Sequence, residues 1–371
     1  MDFALTQDQR LMQESVNGAL GRLSPLPRVR AFADGGEAVA RDVWSGLTEL
    51  GVPGLIIPED YGGVGLTLLD AALIAEALGA HVAPTPFLGA AVLAPLAIIG
   101  AGSAAQKSAW LPKLASGEVL AGVAIGQSVS GARDGAGVKE SDGRLSGSTL
   151  FAIDAAQADI LIVADNAGGL HLVEAGAPGL GAADLPTIDL TRRLSELTFE
   201  DTPAEPLASG DVAATIGALR DAGWTMLAAD MLGASGAMLD KAVAYAKERR
   251  QFGRLIGSFQ AVKHLCAEMA AELEPCRALV WYAAHAASAL PAEASLAAAH
   301  AKAHLSEVSR FVARTATEVH GGIGFTDLLG LHYWFKRVGL DRQLLGGPER
   351  VRQLAAEMQG LAAAWSKIRL G

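Results

Sequence analysis

The chain has 371 residues, with 40 acidic against 30 basic side chains and a formal net charge of −10. That balance excludes nucleic acid as the main partner, because phosphate backbones need a basic face. Ala and Leu are abundant in an apolar fraction of 51%, Gly adds 43 residues, and aromatic residues make up only 5%, which suits tightly packed helices better than a β-sandwich.

The length allows two or three domains around a large core. The start, "MDFALTQDQR", lacks a basic stretch followed by an apolar one. No signal peptide is read there, and the cytoplasm is the expected location. "TQDQRLMQESVNGALGRL" has helical spacing with Thr6 as its N-cap. The segment 42–79 reads as helix, glycine-rich loop, helix. Its "EDYGGVG" has the glycines of a phosphate loop without the following Lys-Ser/Thr, so a tight turn is expected. Residues 77–106 carry no Asp, Glu, Lys or Arg, but Pro84, Pro86 and Pro95 divide them into short helices and turns rather than a membrane span.

From about residue 119 to 203, short apolar runs such as "VLAGVAIG", "RLSGSTLFAI", "ADILIVAD" and "LSELTFED" alternate with Gly, Asp, Asn and Ser. This is the punctuation of a small antiparallel β domain. Long helical patterns return after Asp211: residues 212–248, 262–287, 295–319, and a last helix opening at Pro348. Helix, then β, then a four-helix unit is the predicted architecture. The two cysteines, Cys266 and Cys276, form no CxxC pair and support neither a disulfide framework nor a zinc knuckle.

Two stretches hold candidate chemistry. "KERRQFGRLIGSFQAVKH" pairs Arg249 with Arg250 beside Phe252, Gly253 and Gln260. Guanidinium matches pyrophosphate in shape and charge, and Phe252, one turn on, could cover an adenine or ribose. A solvated helix end with Arg249 or Arg250 paired to Glu248 fits the same residues. "EVHGGIGFTD" places Gly321 and Gly322 between helices, where free backbone N–H groups could meet an anion; a plain helix stop fits equally. His320 stands without neighbours at metal-ligand spacing, so no metal site is expected. "GQSVSG" misses the nucleophile elbow by one residue, and no glycine fingerprint of a Rossmann site follows a strand.

Three motifs in order, "LTELGVPGLIIPEDYGGVGLTLLD", "RRQFGRLIGSFQAVKH" and "EVHGGIGFT", resemble the signatures of the FAD-dependent acyl-CoA dehydrogenases over almost the full length. Among these the chain resembles the bacterial steroid-side-chain members. The resemblance implies an N-terminal helical domain over 1–118, a middle β-barrel-like domain over 119–208 and a C-terminal four-helix bundle over 209–371. It implies FAD as cofactor and an acyl-CoA as substrate, in fatty acid or steroid catabolism, with an electron-transfer flavoprotein-like acceptor. It also implies that Arg249, Phe252 and Gln260 contact the pyrophosphate and adenosine half of a neighbouring subunit's flavin. Glu318, His320, Gly321 and Gly322 would meet it across the dimer. A homodimer, a homotetramer or a heterotetramer with a homologous chain follows.

The family's reaction takes the α proton with a carboxylate while the β hydrogen leaves as hydride. Here the position matching the usual base holds Leu345 or Gly346, and that of an alternative base holds Gly223. Asp230, on roughly the same helical face as Gly223, and Glu349, just past the usual position, are the candidate bases. Either could instead be structural, Glu349 as a first-turn acid. In the β domain Phe151 takes the place of an aromatic beside the flavin ring, Ile153 falls where a hydroxyl is usual, and Ser128 is the candidate substitute for a threonine. Three functions stay open: a working acyl-CoA dehydrogenase with a displaced base, a non-catalytic subunit completing the site of a homologous partner, or a flavin or CoA-ester binding protein with other chemistry.

Overall fold

The computed structural model describes residues 4–131 and 136–361. Helix α1 (Gln7–Leu23) opens with a reciprocal cap: Gln9 N–H donates to Thr6 Oγ1 at 3.2 Å, and Thr6 N–H donates to Gln9 Oε1 at 3.1 Å. Helices α2 (Leu26–Asp34) and α3 (Arg41–Thr48) follow. The glycine-rich loop is indeed a run of tight turns, and α4 (Leu68–Ala80) comes after it. The charge-free stretch then turns at residues 81–86 and makes a wide helical turn, Phe87–Leu93. It continues as α5 (Ala94–Ala101) and reaches α6 (Ala104–Ala115). No helix among the described residues is long and apolar enough to cross a membrane.

The middle of the chain forms β1 (Ala121–Ala124), a short helix α7 (Gly126–Ser130), β2 (Gly137–Ser141), β3 (Arg144–Ile153) and β4 (Ile160–Ala164). β5 (Leu170–Glu174), β6 (Leu180–Leu185), β7 (Leu194–Pro203) and β8 (Glu205–Pro206) complete it. The order is β6-β7-β3-β1-β4-β5-β8, with β2 on β3. The expected antiparallel domain is corrected at one place, since β1 and β4 run parallel. The sheet is covered on both faces. Ile160 and Ile162 of β4 pack on the helices, while Leu161 and Val163 join Val138, Leu145, Leu197 and Phe199 in a separate core. Period-two alternation therefore serves two cores at once, which is why β4 reads as one continuous apolar run.

The C-terminal part is built on α8 (Val212–Glu248), α9 (Gln260–Ala289) and α10 (Pro291–His320), followed by α11 (Leu331–Gln343) and α12 (Pro348–Met358). Helix α11 has no counterpart in the predicted elements. Glycines let α8 lie close on α4: a side chain at Gly79 would run into the Asp230 carbonyl, and one at Gly233 into the Glu76 carbonyl.

Charges are buried where the three parts meet. Arg192, between β6 and β7, donates from Nη2 to Asp230 of α8 at 2.7 Å and from Nε to Asp341 of α11 at 2.9 Å. Arg337 of α11 lies 3.4 Å from Asp189 and 3.7 Å from Asp230, and donates to the Ala83 carbonyl at 2.8 Å. Buried Lys302 of α10 donates to the Asp341 carbonyl. Burial pushes the Asp341 carboxyl well above the ordinary carboxylate range, against the pull of Arg192 and Arg337.

Asp154, at the end of β3, is buried and accepts from Gly89 N–H at 2.8 Å. Burial raises its pKa from 3.8 to about 6. A carboxyl raised in the folded state stabilises the fold when protonated, and that contribution is lost as pH rises through the folded pKa. Asp154→Asn, which keeps an oxygen for Gly89, should exceed wild-type stability at pH 7.5 by up to about 3 kcal/mol. The two proteins should converge as pH falls from 6 towards 4. Denaturant unfolding across this range checks it, and parallel curves would refute it.

Candidate functional site

A cavity of about 350 Å³ lies between the β domain and the turn joining α11 to α12. On the β side it is walled by Gln127 and Ser130 of α7, by Leu150 and Phe151 of β3, and by Leu194. On the helical side stand Gln343, Leu345, Gly346, Gly347 and Arg350. Phe151 is half exposed and has φ +59°, at an irregularity in the β3–β7 pairing that turns its ring out of the sheet. Leu345 also sits in the left-handed region, at φ +57°, yet it is only 3% exposed. A backbone shape that a leucine disfavours is held from outside. The buried indole of Trp224 donates to the Leu345 carbonyl at 2.8 Å, and the Leu345 side chain fills the space over Gly223. Of the described residues lining this cavity, none is a carboxylate, and Arg350 supplies the one charge.

A second group gathers at the far ends of α8 and α10. Arg249 caps α8, its N–H donating to the Tyr245 carbonyl at 2.9 Å. The chain then forms a two-residue hairpin between β9 (Arg250–Gln251) and β10 (Arg254–Leu255), with Phe252 at φ +52° and Gly253 at φ +77°. Phe252 is therefore the tip of a hairpin, and not one helical turn beyond Arg249. It is 92% exposed, with the Phe259 ring 6.2 Å away and the Arg254 guanidinium 3.9 Å from that second ring. Tyr245 faces His320, the last residue of α10, at 4.8 Å between ring centres. This contact brings the hairpin and the Gly321–Gly322 turn to one end of the molecule. Nothing lies within 4 Å of where side chains would start on Gly253, Gly321 and Gly322. The cradle is open, cationic and partly apolar, and its residues fit a pyrophosphate flanked by an aromatic-stacking group.

Residues 6–118 match the model of the acyl-CoA dehydrogenase N-terminal domain and residues 221–359 that of the C-terminal domain. The chain is also 33% identical to acyl-CoA dehydrogenase IpdE2 of Mycolicibacterium smegmatis, over 95% of this chain and 100% of that protein. This chain belongs to the acyl-CoA dehydrogenase family. Two solved structures are similar to it. One, a variant of the Tcur3481–Tcur3483 steroid ACAD, has a TM-score of 0.86 at 29% identity, over 96% of this chain and 99% of the other. The other, from the ChsE4–ChsE5 complex of Mycobacterium tuberculosis, has a TM-score of 0.87 at 26% identity, over 97% and 99%.

The residues that resemblance to the acyl-CoA dehydrogenases singled out fall into three sets. Arg249, Phe252, Glu318, Gly321 and Gly322 are exposed at the α8–α10 end, as is Gln260, the first residue of α9. His320 is buried instead, its Nδ1 bonded to the Ala316 carbonyl at 2.7 Å. Burial lowers its pKa, and Nδ1, facing a carbonyl, is the donor. Phe151 lines the cavity, whereas Ile153 is packed in the core and Ser128 is exposed on α7, outside the lining. The carboxylates do not come together. Asp230 is tied to Arg192 in the buried ionic cluster and does not line the Leu345 cavity. Seven residues along α8 from Gly223 amount to about 10 Å. Glu349 is exposed in the first turn of α12, 3.5 Å from Arg342 and 3.7 Å from Arg352.

Sequence reasoning missed Gln127, Ser130, Arg350, Trp224 and the ionic cluster. Their partners are distant in the chain, so no local spacing reports them. A tryptophan inside an alanine-rich helix was the one available hint. Trp224→Phe removes the donor to a buried carbonyl, and should cost about 1–3 kcal/mol in denaturant unfolding. An unchanged midpoint would show that the indole does not hold this turn.

Proposed function

We propose that this chain is the cofactor-binding, base-lacking subunit of a heteromeric acyl-CoA dehydrogenase. The observation that carries this is the cavity beside Phe151 and Leu345, where no carboxylate stands among the described lining residues. The second chain would supply the carboxylate that takes the α proton. Two similar structures support the reading: the names of both pair two chains, and one name calls its protein a steroid ACAD. A bulky, steroid-derived acyl group is therefore the proposed substrate class. An electron-transfer flavoprotein-like acceptor would reoxidise the assembly.

The cofactor is FAD. Arg249 would hold the pyrophosphate of the neighbouring subunit's FAD through charge-assisted hydrogen bonds, with Phe252 and Gln260 against its adenosine half and the Gly321–Gly322 backbone admitting it closely. Phe151 would cover the ring system at the cavity wall. FAD when bound supplies the acceptor for the β hydrogen. On this chain's side, Leu150, Leu194 and Leu345 give the cavity apolar walls, which strengthens an electrostatic contact made against them. Trp224 fixes the turn that carries Leu345.

One observation favours a second reading. Gly347 lines the cavity and Glu349 follows it by two residues, so Glu349 could act as a displaced base in a homo-oligomer. Acceptor-reduction assays separate the two. The chain alone should not turn over short, medium, branched or steroid-linked CoA esters. Mixed with its homologous partner it should, and Glu349→Gln should leave that rate within about threefold. Robust turnover by the chain alone, lost by 10²-fold or more in Glu349→Gln, establishes the second reading.

Arg249→Ala should weaken FAD retention about ten- to hundredfold, the loss of one charge-assisted bond of about 1.5–3 kcal/mol, and more than Arg250→Ala. Flavin fluorescence of the filtered assembly measures this. Equal retention by wild type and Arg249→Ala would remove Arg249 from the site.

A further inference from the structure

The cavity beside Phe151 and Leu345 has one charged residue in its described lining, Arg350. Arg350 stands half-buried in the first turn of α12. The basic residues nearest to it in the chain are engaged elsewhere. Arg342 lies 3.0 Å from Glu307 and 3.5 Å from Glu349, and Arg352 lies 3.7 Å from each of the same two carboxylates. Arg350 projects from a different face of α12 than Glu349 and Arg352. Among the described residues it has no carboxylate within salt-bridge distance.

The N-terminus of α12 opens on the same cavity. Gly346 and Gly347 line it, and no side chain caps the helix. Glu349, the acid of that first turn, is drawn outward to Arg342 and Arg352. A permanent cation and the positive end of a helix therefore border one space. The other polar residues of its lining, Gln127, Ser130 and Gln343, are neutral. A positive field with no acid in it favours whichever form of an occupant is negative.

On the reading that the ring system of FAD lies along Phe151, a negative charge arises in this cavity during the reaction. A hydride from the β carbon carries two electrons and one proton, so a neutral ring that accepts it gains one negative charge. We propose that Arg350, with the α12 N-terminus behind it, stabilises that charge and so raises the reduction potential of the flavin. The neutral oxidised ring gains little from the guanidinium. The reduced ring gains a counter-charge, so the interaction favours the product of hydride transfer over its starting state.

Reductive titration of the FAD-loaded assembly against a dye of known potential tests this. Arg350→Met keeps the length of the side chain and removes its charge. It should hold the reduced ring, relative to the oxidised one, about tenfold less tightly or worse, a drop of about 30 mV or more for two electrons. The pH at which the reduced ring passes from neutral to anionic, followed by absorbance, should rise by about one unit. Arg350→Lys should stay within about threefold of wild type. Arg352→Met removes an equal charge outside the cavity and should also stay within about threefold. A retained flavin with the same potential in Arg350→Met as in wild type, or an equal drop in Arg352→Met, overturns this proposal and leaves the cofactor assignment standing. Wild-type assembly that takes up no FAD overturns the cofactor assignment and this proposal with it.

Discussion

Arg192 holds one positive charge between two carboxyl groups on different helices, Asp230 of α8 and Asp341 of α11, and all three side chains are nearly excluded from water. A guanidinium suits this place because its planar fork can donate along two directions at once and stays charged when buried. Arg337 extends the cluster to Asp189 and to the Ala83 carbonyl. The β domain, the charge-free turn and two C-terminal helices therefore share one electrostatic junction. Such a cluster gives little net stability over an apolar core, but losing one member strands the others at about 3–5 kcal/mol. Its effect is to fix relative position. The cavity depends on that, since Leu194 follows Arg192 by two residues and Leu345 follows Asp341 by four, so the two facing walls grow from the same junction.

The periodic parts of the chain were legible. Thr6 caps α1 as its spacing says, β3 spans the run "RLSGSTLFAI", and Pro348 opens α12. These features are local: one helical turn or one pleat decides them. Helix α11 was missed because "LHYWFKRVGLDRQ" buries its charges at the junction, so its inward face does not look apolar. The parallel β1–β4 pair was missed because pairing across 35 residues leaves no local trace. At the site, the open glycines and the exposed Arg249 were readable as types, yet the hairpin that presents Phe252 was not. Its turn uses a left-handed phenylalanine where sequence patterns favour Asn or Gly.

Binding elements and the expected base part company in this chain. The hairpin, the glycine turn and Phe151 are all surface features that a neighbouring molecule could use. Leu345, which with Gly346 is where the resemblance would put the base, is a buried leucine held in a costly backbone shape. That shape is held by the Trp224 indole on the Leu345 carbonyl and by the leucine side chain packed over Gly223.

The uncovered tip of the hairpin also bears on how the protein is made. Phe252 at 92%, Phe325 at 81% and Leu328 at 80% exposure are large apolar groups left in water. Such a surface is sticky in a newly synthesised copy that has not met its neighbour. In the heteromer proposed above, the amount of assembled protein would follow the scarcer chain, with surplus copies left to chaperones and proteases.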